Sequence, residues 1–292
     1  MAIPQWFWDA VEAPRHDDAV EVDEADVTYT RWEGPAGAPG LLLVHGMNAH
    51  RRWWDFIGPQ LAEQFQVAAL DLAGMGDADD RYDYSAELWA ESLVAVADAA
   101  GLPPNTLIVG HSFGGRIGLE AAARHGSRFA GLVLVDAGVR DPAEAVDQSG
   151  PRVGGRPVLY PDAETAQQRF RLQPPQSCEH EFLLTYIAKH SVMAIDGGYA
   201  FKFDTDMPEV MTGVDRDRAE ANLRALTLPL GLIYGEDSEL FSKNTLGYME
   251  SVRPFTVPPV GLAKAQHHLF LDQPLAFIAA LRELAPALLA AA

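Results

Sequence analysis

Short apolar runs recur along the chain at a spacing that predicts strands alternating with helices. Leu41-Leu42-Leu43-Val44, Val67-Ala68-Ala69-Leu70, Thr106-Leu107-Ile108-Val109 and Leu132-Val133-Leu134-Val135 are nearly continuous, as in parallel strands buried on both faces. They lead into His45-Gly46, into Asp71 with Gly74-Met75-Gly76, into Gly110-His111-Ser112, and into Asp136. Upstream, residues 20–32 alternate apolar and polar, which predicts half-buried antiparallel strands. Residues 86–100 and 114–123 read as helices, the first stopped by Leu102-Pro103-Pro104. The rhythm breaks over 138–224, where Gly150-Pro151, Pro174-Pro175 and Gly197-Gly198 interrupt helical stretches such as 181–193. It resumes at Leu230-Gly231-Leu232-Ile233-Tyr234. A helix near 240–252, a short strand near Phe255-Thr256-Val257 and a final helix from Pro274 follow.

This alternation predicts an α/β fold, a mostly parallel sheet with helices on both faces. Residues 1–137 and 225–292 would form the core. Residues 138–224 would form a helical cap inserted after the strand that ends at Asp136, over the sheet edge where ligands of such folds bind.

Charge narrows the partners. The 292 residues carry 41 acidic and 22 basic side chains, a net −19, which excludes nucleic acid and anionic membranes as expected partners. Strongly anionic substrates are disfavoured more loosely, since one local arginine can override the global field. Cys178, alone, cannot form an intrachain disulfide and fits a reducing compartment. Met1-Ala2-Ile3-Pro4 lacks the basic start of a signal peptide, and no run approaches the ~18 apolar residues of a membrane span. A cytoplasmic location is therefore expected. Trp6, Phe7 and Trp8 are expected to pack on the body.

The chemistry is concentrated at Gly110-His111-Ser112-Phe113-Gly114, a Gly-x-Ser-x-Gly motif between a strand and a helix. Such a turn is the nucleophile elbow, too tight for side chains beside the serine. Ser112 is the candidate nucleophile and needs a base within hydrogen-bond reach. Further matching segments are His45-Gly46-Met47-Asn48, Asp71-Leu72-Ala73-Gly74-Met75-Gly76, and His267 followed by Asp272-Gln273-Pro274. Together with the elbow, their order resembles the α/β-hydrolase superfamily over nearly the whole chain, and within it the capped esterase and lipase-like members.

That resemblance implies an eight-stranded type of sheet and a set of roles. His267 would be the general base, with adjacent His268 as the alternative. The triad acid would be Asp136, with Asp237 as the alternative, because the position most members use, in Gly235-Glu236-Asp237-Ser238, holds Ser238. The backbone N–H groups of Met47 and Phe113 would form the oxyanion hole. His45 and His111 read as structural, while Asn48, His50 and Arg51-Arg52-Trp53-Trp54 either line the pocket or open a helix. The nine histidines show no zinc spacing, and Gly74-x-Gly76 lacks the rest of a dinucleotide fingerprint, so neither metal nor cofactor is expected.

The expected activity is hydrolysis of a small apolar carboxylic ester through an acyl-enzyme on Ser112, with thioesters and lactones next. Phe170, Phe182, Leu183, Leu184, Tyr186, Ile187, Tyr199, Phe201 and Phe203 in the insertion would supply an apolar pocket or the insertion's own core. Lys202 and Arg171 could meet a polar substrate end or stand in solvent. Two rivals remain: carbon–carbon bond hydrolysis on the same scaffold, and a non-catalytic small-molecule binder. The oligomeric state is left open.

Overall fold

In the computed structural model, which describes residues 3–143 and 157–292, the aromatic start of the chain forms a helix that periodicity did not announce, α1 (Gln5–Val11). Phe7 is buried against Phe182 and Tyr186, at ring separations of 5.1 and 5.5 Å, whereas Trp8 stays exposed. The alternating segment becomes the antiparallel pair β1 (His16–Val22) and β2 (Ala25–Trp32). The first buried run is β3 (Gly40–Val44), followed by the short α2 (Gly58–Leu61) and β4 (Gln66–Leu70). A two-residue strand, β5 (Tyr84–Ser85), leads into α3 (Ala86–Ala99), which Ser85 caps by accepting from the Leu88 N–H. Then come β6 (Thr106–His111), α4 (Phe113–Arg124) and β7 (Gly131–Val135).

The segment after β7 is mixed rather than purely helical. It holds α5 (Ala163–Gln168), α6 (Glu181–His190), a hairpin of β8 (Val192–Ile195) and β9 (Gly198–Phe201), α7 (Met207–Val210) and β10 (Met211–Thr212). The helix expected over 181–193 ends at His190 because the chain turns into that hairpin through Gly197 and Gly198, both at positive φ. Residues 144–156, with the Gly150-Pro151 signal, and Met1-Ala2 lie outside the described residues.

The chain continues with α8 (Arg216–Ala225), β11 (Leu230–Gly235) and α9 (Lys243–Val252). Ser242 accepts from the Thr245 N–H, which sets the start of α9 later than the pattern suggested. The last strand is β12 (Val260–Leu262), not Phe255-Thr256-Val257. The Thr256 N–H does reach the Leu230 carbonyl at 2.8 Å, but Pro258 and Pro259 remove the N–H groups a ladder needs, so the regular ladder with β11 forms only after them. A short α10 (Leu269–Asp272) and the long α11 (Pro274–Leu289) close the chain.

The eight-stranded sheet runs β1-β2-β4-β3-β6-β7-β11-β12, antiparallel at β1–β2 and β2–β4 and parallel from β4 to β12. Every residue of β3, β6 and β7 is buried, as the unbroken apolar runs require. The chain leaves β3 toward β4 and returns to the other side as β6, so the direction of winding reverses between β3 and β6. Val44 and Gly110 pair at the carboxyl ends of those strands, and a crevice opens beside such a reversal. Among the described residues, no helix is long and apolar enough to cross a membrane.

Candidate active site

Ser112 sits between β6 and α4 with φ 52° and ψ −115°, a conformation that an L-residue adopts only when its surroundings impose it. Those surroundings require glycine on either side. A Cβ on Gly110 would lie 2.5 Å from the Gly114 carbonyl oxygen, and one on Gly114 would lie 2.3 Å from that of His45. The serine thus stands at the start of α4, where free N–H groups and the helix dipole favour negative charge.

His267 lies between β12 and α10, and its Nε2 is 2.9 Å from Ser112 Oγ. Its Nδ1 is 2.7 Å from Asp136 Oδ2. Asp136 follows β7 directly, at φ +44°, and its side chain is fully buried. Two further donors saturate the carboxylate: the Gly235 N–H to Oδ1 at 2.9 Å and the Ser238 hydroxyl to Oδ2 at 2.7 Å. The carboxylate therefore holds Nδ1–H in place, leaving Nε2 to accept from the serine. Asp237, the other candidate acid, is exposed and makes no hydrogen bond to His267 among the described residues. Ser238 occupies the place where an acid was looked for and instead donates to the acid one strand away.

The remaining histidines divide by their bonds. Leu72 N–H donates to His45 Nε2 at 3.0 Å, so His45 Nδ1 carries the proton and donates to the Gly46 carbonyl at 2.7 Å. His45 thus braces the loop that leads to Met47. His111 Nε2–H donates to the His267 carbonyl at 3.0 Å, fixing the backbone of the base. Burial, and then the charges of His267 and His268, drive its proton affinity well below the usual range, so it stays neutral. His268 is buried too, pushed down to about 3, and its ring nitrogens have no partner among the described residues. Ring nitrogens of His111, His267 and His268 lie within 4.8 Å of one another. As metal donors they are compromised, because Ser112 and Asp136 engage His267 and a carbonyl engages His111 Nε2.

The stretch after Met47 is a single 3-10 turn over Arg51–Trp54. Arg51 is an internal strut, ion-paired with the fully buried Asp71, which also accepts from Thr28 Oγ1 at 2.8 Å and the Asp77 N–H at 3.0 Å. Trp54 is core. Asn48, His50 and Trp53 instead face a pocket of about 220 Å3 that also takes in Phe170, Phe201 and Phe203. Leu183 and Ile187 pack in the core, and the Tyr186 hydroxyl donates to Asp55 at 2.6 Å, so these three brace the fold. Cys178 is half-buried, its thiol pushed up to about 11 by burial, which leaves it protonated and unreactive at neutral pH.

A second cleft of about 240 Å3 holds Ser112, His267 and Asp136 together with Met47 and Phe113. Met47 lines both spaces and joins them. Arg116 and Arg140 also line the catalytic cleft, and sequence reasoning did not single them out. The four-residue spacing of Arg116 from Ser112 on α4 was the available signal.

The family model described as the alpha/beta hydrolase family matches residues 41–281. Lipase LipV of Mycobacterium tuberculosis is 35% identical over 116 residues, 40% of this chain and 42% of that protein. The pimeloyl-[acyl-carrier protein] methyl ester esterase of Aeromonas hydrophila subsp. hydrophila is 25% identical over 82% of this chain and 92% of its own. Among solved structures, the thioesterase domain from the curacin biosynthetic pathway superposes with a TM-score of 0.74 at 21% identity, over 92% of this chain and all of that one.

Proposed function

The chain belongs to the alpha/beta hydrolase family, and on that premise we propose that it is a serine hydrolase of carboxylic esters, with thioesters and lactones as secondary substrates. One observation carries this reading: an unbroken hydrogen-bond relay from Asp136 through His267 to a serine held at a strained elbow. Ser112 Oγ attacks the ester carbonyl as His267 Nε2 takes its proton. Asp136 keeps Nδ1 protonated and stabilises the imidazolium. The Met47 and Phe113 N–H groups receive the oxyanion of the tetrahedral intermediate. His267 then gives its proton to the departing alkoxide, leaving an acyl-enzyme. Water, activated by the same imidazole, cleaves that ester and frees the acid.

Residues 138–224 serve as the cap, with Phe170, Phe201 and Phe203 giving apolar surface to a pocket for one arm of the substrate that Arg171 and Lys202 also line. The esterase and the lipase among the relatives point the same way in their names. The test is a p-nitrophenyl ester series from acetate to dodecanoate on wild type and Ser112→Ala. The expected result is turnover with a chain-length optimum, lost in Ser112→Ala. Folded wild type that cleaves none of the series would sink the proposal.

A further inference from the structure

In a chain of net charge −19, many buried and surface arginines find carboxylates: Arg51 pairs with Asp71, Arg216 with Glu220 and Arg218 with Glu120. Among the described residues Arg169, Arg171 and Arg253 meet no carboxylate, and nor do the two arginines that line the catalytic cleft, Arg116 and Arg140. That cleft holds Ser112 and His267. Arg116 lies one helical turn beyond the serine, its N–H 3.4 Å from the Ser112 carbonyl oxygen, and so on the same face of α4. Arg140 lies four residues beyond Asp136, past the end of β7. One guanidinium nitrogen of Arg116 reaches the Val214 carbonyl at 3.3 Å, and one of Arg140 reaches that of Leu240 at 3.2 Å. A guanidinium offers five N–H donors, so most remain for a ligand. Desolvation of the guanidinium beneath Val214, and then the charge of Arg140, lower the proton affinity of Arg116, against the opposing pull of Asp215. Arginine does not deprotonate in proteins, so its charge is retained.

Two like charges converging on one reaction cleft, while acids abound elsewhere, make a receptor for an anion. We propose that Arg116 and Arg140 form a carboxylate-binding subsite, so that the preferred substrates are esters carrying a free carboxylate on one side of the scissile bond. The other side of the bond enters the pocket beyond Met47, whose lining mixes Trp53, Phe170, Phe201 and Phe203 with Arg171 and Lys202. This rests on the ester-hydrolase reading above and adds to it the substrate's charge. Planar guanidinium groups match a carboxylate through paired N–H donors. The surrounding negative field penalises a phosphate dianion about twice as much as a monoanion, because the energy scales with charge. Composition argued against anionic substrates with the reservation that local arginine could override it, and this cleft is where that happens.

The test uses Ser112→Ala protein, which cannot turn substrate over, titrated calorimetrically with monoethyl glutarate and with its neutral match, diethyl glutarate. Arg116→Gln and Arg140→Gln in that background should each weaken the monoester about tenfold, as expected for a lost charge-assisted hydrogen bond. The diester should change far less. Arg140→Lys should recover part of the loss, which separates lost charge from lost fold. With Ser112 restored, the ratio of kcat/KM for mono-p-nitrophenyl glutarate to that for p-nitrophenyl pentanoate should fall about tenfold in each Gln variant. Equal effects on monoester and diester, or none on either, would overturn the subsite. Inorganic phosphate binding more tightly than monoethyl glutarate would overturn the carboxylate assignment. Arginine-dependent binding in a protein whose wild type cleaves no ester would support the subsite and sink the ester-hydrolase reading instead.

Discussion

Replacing Asp136 by Asn isolates the role of the acid, because it keeps the shape and changes only what the side chain can accept. Three donors converge on this carboxylate: His267 Nδ1–H and the Ser238 hydroxyl on Oδ2, and the Gly235 N–H on Oδ1. An amide has one acceptor and one donor end. If its oxygen stays with Gly235, its NH2 faces His267 and forces the proton from Nδ1 to Nε2, where it blocks transfer from Ser112. If the amide flips, its NH2 meets the Gly235 N–H, and two buried donors oppose each other at a cost of about 1–3 kcal/mol. The first arrangement keeps the fold and removes the base. In triads with these roles the wrong tautomer costs about 10^4 in kcat, or ~5.4 kcal/mol of barrier. The assay is kcat/KM on the preferred p-nitrophenyl ester, with circular dichroism to confirm the fold. Asp237→Asn is the control and should change turnover less than about threefold, since its side chain is exposed. A folded Asp136→Asn enzyme within about tenfold of wild type would refute the argument.

Ser238→Ala removes one of the three donors to Asp136. It should cost about 1 kcal/mol, or roughly fivefold in kcat/KM, with Ser112 still labelled by a fluorophosphonate; an unchanged rate would make the bond incidental. Arg51→Met leaves Asp71 buried without its cation and should lower stability by about 3–5 kcal/mol in urea titrations, while the KM of the surviving folded enzyme holds. A loss under about 1 kcal/mol would contradict that. Burial pushes His50 and His268 down to about 3, against an ordinary 6.5. Between those values the unfolded chain binds more protons than the folded one, so their stabilisation is complete above about pH 6.5 and is lost as pH falls. Urea midpoints should therefore drop steadily from about pH 6.5 to 4, and His50→Gln should make the slope shallower; a slope unchanged by the variant would remove His50 from the account.

What the sequence disclosed followed the strength of its local constraints. Leu41-Leu42-Leu43-Val44 and Leu132-Val133-Leu134-Val135 can hardly fold other than as buried strands, and they do. Gly110 and Gly114 were legible because backbone atoms within 3 Å leave no room for a Cβ. The final strand was misplaced by a few residues because apolar character in Phe255-Thr256-Val257 outweighed two prolines that interrupt the ladder until Val260. α1 was missed since its stability comes from Phe7 against residues far along the chain. The acid stayed ambiguous for the same reason: Asp136 and Asp237 both follow core strands. Only the fold places the Asp136 carboxylate between His267, Gly235 and Ser238. Arg116 and Arg140 were invisible because an arginine's significance depends on which carboxylates it fails to meet, and that is a three-dimensional fact.

The central claim is that Ser112 is an activated nucleophile. Intact-mass spectrometry after treatment with a fluorophosphonate tests it most directly, on wild type and on Ser112→Ala. The account predicts one adduct per wild-type chain, mapped to the peptide bearing Ser112, and none on the variant. Folded wild type that stays unlabelled, or a Ser112→Ala protein that labels equally, would contradict it.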